Sequence, residues 1–316
     1  MRWGLLVAAS LLVQPVNGMA ALRCTIGQEK VFAGDGEHVR LARPDGLPAD
    51  ANLALFRAPL AVNTDGAPTS YHPADFYGRQ LAINAIENGI TIRRINGAGM
   101  TSAQRKAIFE RWRDSGWVVP QGYRISWQNV IAKDSNGGPC RFASGPYRGY
   151  FGSLTATRNG LSPAQAGECM VNDQLDQRHV PALVLRGPSV NPLTGFGARK
   201  GDLVVAVNPA ANPPRIVAAI IGDTGDAKRI GEGSVAMNLK LLGRTAQPQT
   251  YREALRLDTG SAPMVVAVLP GSKDYRLERP YTEANITARV GAWAREKGYA
   301  SVEELARSML SCAEGI

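Results

Sequence analysis

The chain has 316 residues, 44% of them hydrophobic and 20% charged, which is ordinary for a globular protein and enough for one large domain or two modest ones. Lys and Arg number 36 against 27 Asp and Glu, a formal net charge of +9. A surface this basic suits polyanions, but the N-terminus reads as an export signal, which argues against nucleic acid as a partner and leaves anionic cell-wall polymers.

That signal comes first in chain order. Arg2 gives a positive start, Gly4 to Val13 form an apolar run, and Gly18, Ala20 and Ala21 supply small residues for cleavage. Residues 1–20 are therefore expected to be a signal peptide, and the mature protein to be secreted or periplasmic, with a charge of +8 once Arg2 is removed. The apolar run is too short to span a bilayer and no later stretch reaches about 20 apolar residues, so no membrane insertion is expected. Cys24, Cys140, Cys169 and Cys312 are even in number, far apart and without a CxxC pair. In an oxidising compartment they are expected to form two disulfides, with three connectivities open. His38, His72 and His179 are equally scattered, so no metal site is expected.

Residues 22 to 60 alternate short apolar runs with Gly and Pro and read as strands and loops. "TSAQRKAIFERWRDSG" at 101–116 reads as an amphipathic helix with Thr101 or Ser102 as N-cap and Gly116 as the stop. From 120 to 272 the pattern turns to strands: "YRISWQNVIA", "YFGSLTA", "VPALVLRG", "GDLVVAVNP", "RIVAAIIGD" and "PMVVAVLPG". Six such runs imply a closed barrel or a sandwich. One helix interrupts them, with Ser234 as N-cap, Val235 to Leu242 as its body and Gly243 as its end. The tail is helical: one segment closes at Gly298, and the next opens with a capping box of Ser301 and Glu304. Asn285-Ile286-Thr287 matches a glycosylation sequon.

The segment richest in chemistry is "RIVAAIIGDTGDAKRIGEGSVAMNLKLLG". A buried-looking strand runs out at Gly222 and delivers Asp223; a Gly-rich loop follows and ends on Glu232, just ahead of the helix. Carboxylates on a strand end and a neighbouring loop can face one space, as glycoside hydrolysis requires: one protonates the leaving oxygen while the other activates water or attacks the sugar. Taken as residues alone, the same pattern also describes turn formers and helix caps.

Several stretches, in one collinear order over roughly residues 60 to 275, resemble the glycoside hydrolase family 75 chitosanases. They are "NTDGAPTSYHP", "LAINAIENG", "GYFGSLTAT", "QRHVPALVLRG", "GDLVVAVNP", "GDTGDAKRIGEGSVAMNLKLLG" and "VVAVLPGS". The resemblance implies that Asp223 and Glu232 are the catalytic carboxylates, that no cofactor takes part, and that chitosan is cleaved within the chain with inversion. Asp65, Tyr71, His72, Tyr150 and Thr224, from the same stretches, are the candidate substrate-binding residues, Asp65 either as a groove wall or as a third acid. Tyr147 and Phe151 are further aromatic candidates, with core packing the expected role of Phe151.

The strand, "DTG" turn and short apolar helix are also similar to the double-psi β-barrels of lytic transglycosylases and expansin-like proteins. The expected fold is thus mainly β (α+β): a six-stranded double-psi β-barrel with peripheral helices and a helical C-terminal tail. The expected division is a portion at 21–119 packed on the barrel, the barrel core at 120–272 and the tail at 273–316. Two alternatives stay open: a peptidoglycan lytic transglycosylase, with Asp223 acting alone, and a non-catalytic glycan-binding barrel. The basic loop residues Lys228 and Arg229 depart from the family pattern, and a positive protein repels a polycationic substrate unless its cleft is locally acidic. Nothing in the sequence addresses oligomeric state.

Overall fold

The computed structural model describes residues 24–159, 169, 171–187, 189–226 and 228–316; the expected signal peptide lies outside them. The protein is a mixed α+β structure, mostly sheet. Its strands are β1 (Cys24–Val31), β2 (His38–Pro44), β3 (Leu53–Ala58), β4 (Ala61–Asn63), β5 (Ile90–Arg94), β6 (Tyr123–Trp127), β7 (Ala182–Arg186), β8 (Leu203–Asn208), β9 (Arg215–Gly225), β10 (Glu232–Ser234) and β11 (Met264–Val268). Nine of them form one sheet in the linear order β1-β2-β3-β11-β8-β9-β7-β10-β4, while β5 and β6 pair separately. Among the described residues no pairing joins β1 to β4, so the hydrogen-bonded ladder is open. Two of its pairs are parallel, β7 with β9 and β10 with β4.

The helices are α1 (Ile86–Gly89), α2 (Ser102–Asp114), α3 (Pro192–Gly195), α4 (Val235–Leu242), α5 (Tyr251–Leu255), α6 (Glu283–Glu296) and α7 (Val302–Cys312). Local signals place most of their ends. Thr101 and Gln104 close a capping box on α2. The Ser234 hydroxyl accepts the Met237 N–H, and Gly243 ends α4 in the left-handed region at φ 65°, where a Cβ is costly. On α7 the Ser301 hydroxyl accepts the Glu304 N–H, but the Glu304 carboxylate takes the N–H of Ala300, not of Ser301. Asn285 is spent inside the protein: its side chain completes a capping box on α6 and donates to the Pro280 carbonyl at 2.8 Å. An amide so placed is not presented to a glycosylation machinery.

The central strands are buried on both faces. Leu203, Val205 and Val207 of β8 point into a cluster with Val265, Ala267 and, from α6 and α7, Val290, Trp293 and Met309. Val204 and Ala206, on the opposite pleat, pack with Phe56, Val266, Met237 and Leu241. This alternation with both sides apolar is why "LVVAVN" reads as an unbroken hydrophobic run. Strands β1 to β4 are hydrogen-bonded members of the same sheet, so residues before 64 build it together with those after 182.

A third cluster stands apart, where Tyr71, Phe76, Phe109, Trp112 and Phe151 pack around α2, β5 and β6. Of the six runs read as strands, "YRISWQNVIA" gives β6 in this smaller unit. "YFGSLTA" makes only isolated bridges, Phe151 to Tyr71 and to Arg141 and Ser153 to Ile131. The other four are β7, β8, β9 and β11.

Two disulfides join Cys24 to Cys312 and Cys140 to Cys169, which resolves the open connectivity and uses all four cysteines. No helix among the described residues is long and apolar enough to cross a membrane.

Candidate active site

Where the sheet meets the aromatic unit there is a cleft of about 550 Å³. Its sheet side is built from side chains two residues apart: Val184 and Arg186 on β7, Asp223 and Gly225 on β9, and Glu232 at the start of β10. The pairing register explains the assembly. Val184 lies opposite Asp223 and Arg186 opposite Gly225, and Gly233 lies opposite Leu183, which sets Glu232 beside Val184. Asp223, Val184 and Glu232 thus form one row across three strands.

A register shift makes this row possible. Leu183 pairs with Ile221 but Val184 pairs with Asp223, so Gly222 is an extra residue that re-aims the one after it. Only glycine fits there, since a Cβ on Gly222 would stand 2.6 Å from Ala182 Cβ and 2.8 Å from Leu175 Cδ2.

Asp223 is 1% exposed. Its Oδ1 accepts the Thr224 N–H at 2.7 Å, and its Oδ2 accepts from Gln177 at 2.8 Å and Asn63 at 3.0 Å. Burial pushes its carboxyl up, while Thr155, Gln177, the Thr224 N–H and the Lys200 ammonium oppose the shift. Glu232 is pushed up to about 8, first by burial and then by the Asp65 and Asp223 charges, against the pull of Arg186. Arg186 grips Glu232 through Nη1 and Asp226 through Nη2, tying the loop to the strand. A Cβ on Gly225 would crowd the neighbouring strand, standing 3.1 Å from Val184 Cγ1.

Asp65 joins them as a third carboxylate in the same cleft. Its Oδ1 accepts from the Tyr71 hydroxyl and the Asn84 amide. Burial raises its carboxyl to about 6, with Tyr71 opposing and Asp223 reinforcing the shift. Asn63 braces the two aspartates, giving its amide to Asp223 and accepting the Asp65 N–H at 2.8 Å.

Of the residues singled out from sequence, Asp65, Asp223, Thr224 and Glu232 meet in the cleft. Tyr71 does not face it: it is 0% exposed, offers no ring face to a sugar and acts on Asp65 through its hydroxyl. His72 and Tyr150 lie off the lining, packed edge to face at 4.6 Å, with the Tyr150 hydroxyl on the Leu81 carbonyl. Tyr147 donates to Asp176 at 2.7 Å, and Phe151 is core. Lys228 pairs with Asp226 at 3.2 Å. Sequence reasoning passed over Asn63, Asn84, Gln177 and Arg186. Each lies inside one of the collinear stretches, which were read for their order and not for their polar side chains.

Among the described residues no group of three His, Cys, Asp or Glu side chains is arranged to hold a metal ion. The chain matches no protein-family model, and a search of curated proteins finds no match either.

Proposed function

We propose that the protein is an exported glycoside hydrolase that cleaves a β-1,4-linked amino-sugar polymer within the chain, chitosanase-like and with inversion, using Glu232 as the acid. The observation that carries this reading is the row Asp223–Val184–Glu232 along the side of an open cleft. Two strand spacings separate the backbones of the outer members, about 9.5 Å. Inversion needs roughly 6.5–9.5 Å between carboxyls so that a water fits beside the sugar, whereas retention needs about 5–5.5 Å. A glutamate raised to about 8 keeps its proton near neutral pH and can give it to the leaving oxygen. An aspartate of the same cleft accepts the proton of water.

Charge supports the substrate class. The chain is basic overall, yet the cleft is lined by five carboxyl groups, four besides the protonated Glu232, against two cations, Arg186 and Lys228. A locally acidic cleft attracts a polymer of protonated amino sugars that the remaining surface repels. The double-psi barrel belongs to this proposal as well: two parallel pairs inside an otherwise antiparallel sheet and the Asp-bearing turn before α4 support it. Export is supported by the two disulfides.

The test is incubation with chitosan, chitin and peptidoglycan, with mass spectrometry of the products. Chitosan oligomers with ordinary reducing ends are expected, and Asp223→Asn and Glu232→Gln are each expected to lose at least about a hundredfold in rate. Anhydro-sugar products from peptidoglycan alone would make the protein a lytic transglycosylase, and no cleavage of any polymer would make it a binding module.

A further inference from the structure

We propose that Asp65, and not Asp223, is the carboxylate that takes the proton from the attacking water, with Asp223 as the buried charge that positions and strengthens it. This rests on the hydrolase reading above and decides which aspartate touches the reacting atoms.

A general base needs a lone pair that faces the substrate. Asp223 offers little of either. It is 1% exposed, and both oxygens are occupied by donors, Thr224 on Oδ1 and Gln177 and Asn63 on Oδ2. Three donors of this kind hold a carboxylate still and favour its charge against the burial that raises it, which suits a fixed group better than one that must accept and release a proton at every turnover.

Asp65 is arranged in the opposite way. The Tyr71 hydroxyl and the Asn84 amide both bind Oδ1, leaving Oδ2 without a protein donor among the described residues. Asp65 is partly exposed and lines the cleft. Its bracing is buried and rigid: Tyr71 is 0% and Asn84 1% exposed, and Asn84 also donates to the Tyr71 hydroxyl at 3.0 Å. Asn63 locks Asp65 next to Asp223, in the cleft that Glu232 also lines. The charged groups acting on Asp65 are Asp223, which raises its basicity, and Arg186, which lowers it. The Asp65 charge in turn raises the Glu232 carboxyl, as the Asp223 charge does.

The step balances as follows. The water oxygen bonds to the anomeric carbon as the bond from that carbon to the bridging oxygen breaks. The water proton passes to Asp65 Oδ2, and the Glu232 proton passes to the departing sugar oxygen. Both carboxyls then exchange protons with solvent.

Azide rescue separates the two aspartates. Azide is an anionic nucleophile that needs no base, so it replaces activated water only where the base side chain is gone. With a chitosan oligomer as substrate, Asp65→Ala is expected to lose at least about a hundredfold in kcat, to recover about tenfold or more in sodium azide, and to release a glycosyl azide of inverted configuration. Asp223→Ala is expected to stay inactive in azide. The near-isosteric Asp65→Asn, checked for native melting, is expected to lose kcat with little change in KM. Wild-type turnover measured alongside distinguishes the two levels of reading. Where the wild type cleaves the oligomer, glycosyl azide from Asp223→Ala and none from Asp65→Ala would overturn the assignment, as would an Asp65→Asn enzyme with near-normal kcat.

Discussion

Glu232 carries two opposed demands, burial that favours its proton and an arginine that favours its charge, and burial prevails. Its carboxyl moves from 4.5 to about 8 on folding. Between those values the folded state binds a proton that the unfolded chain has lost, so stability falls as pH rises through that window. Asp65 and Asp223 are raised too and add in the same direction. Glu232→Gln has no proton to lose; urea unfolding at pH 5, 6, 7 and 8 is expected to show a shallower decline than the wild type, by up to about 1.4 kcal/mol per pH unit. An unchanged slope would show that Glu232 is not the titrating group. Activity should trace a bell, since Asp65 must be ionised and Glu232 protonated: kcat/KM is expected to fall below about 6 and above about 8. The Tyr71 hydroxyl favours ionised Asp65, so Tyr71→Phe is expected to move the acidic limb upward while leaving the alkaline limb nearly fixed. The make-up of the cleft was only half legible in the sequence. Asp223 and Glu232 announce themselves by lying at the two ends of one Gly-rich loop. Arg186 and Gln177 are ordinary polar residues until β7 is known to lie between β9 and β10.

Elements defined by their own ends were legible, and those defined by partners were not. Ser234 and Gly243 bracket α4 because a cap and a left-handed terminus act within a few residues. The "YFGSLTA" run has the residue types of a strand, yet its neighbours Tyr71, Ile131 and Arg141 offer only single bridges, and no local feature encodes that. The register shift at Gly222 was equally hidden, although it aims Asp223. Gly222→Ala tests it: the added methyl meets Ala182 on the adjacent strand, so the backbone must move. A loss of about 1–3 kcal/mol in urea unfolding is expected, with activity falling by more than that loss of folded protein explains. Native stability in this variant would mean that the shift is not held by packing.

For the whole molecule, charge and cross-links work at different ranges. The basic composition and the acidic cleft divide the electrostatics into a positive whole and a locally negative centre, which composition alone averages into one number. The two disulfides were legible as a count because the expected export and the even cysteine number bear on the whole chain, but their pairing depends on which elements become neighbours. Cys24–Cys312 joins β1 to α7 across a separation of 288 residues, the kind of long closure that most restricts the unfolded chain. Thiol titration of the denatured protein is expected to find no free thiol. A Cys24→Ser/Cys312→Ser double variant is expected to lose about 2–5 kcal/mol, read as a lower urea midpoint; an unchanged midpoint would show that α7 and β1 are held by packing alone.

The same bridge closes residues 24–312 into a covalent ring, and Arg40 of β2 adds to the closure by reaching the carbonyls of Glu314 and Gly315. A ring has a topology that a linear chain lacks: one cut opens it without dividing it. A single nick by a protease in a loop such as 209–214 or 244–250 leaves both pieces attached through Cys24 and Cys312. The nicked protein should run as one species until it is reduced. The cleft, assembled from β4, β7, β9 and β10, would then outlast the first break in its chain.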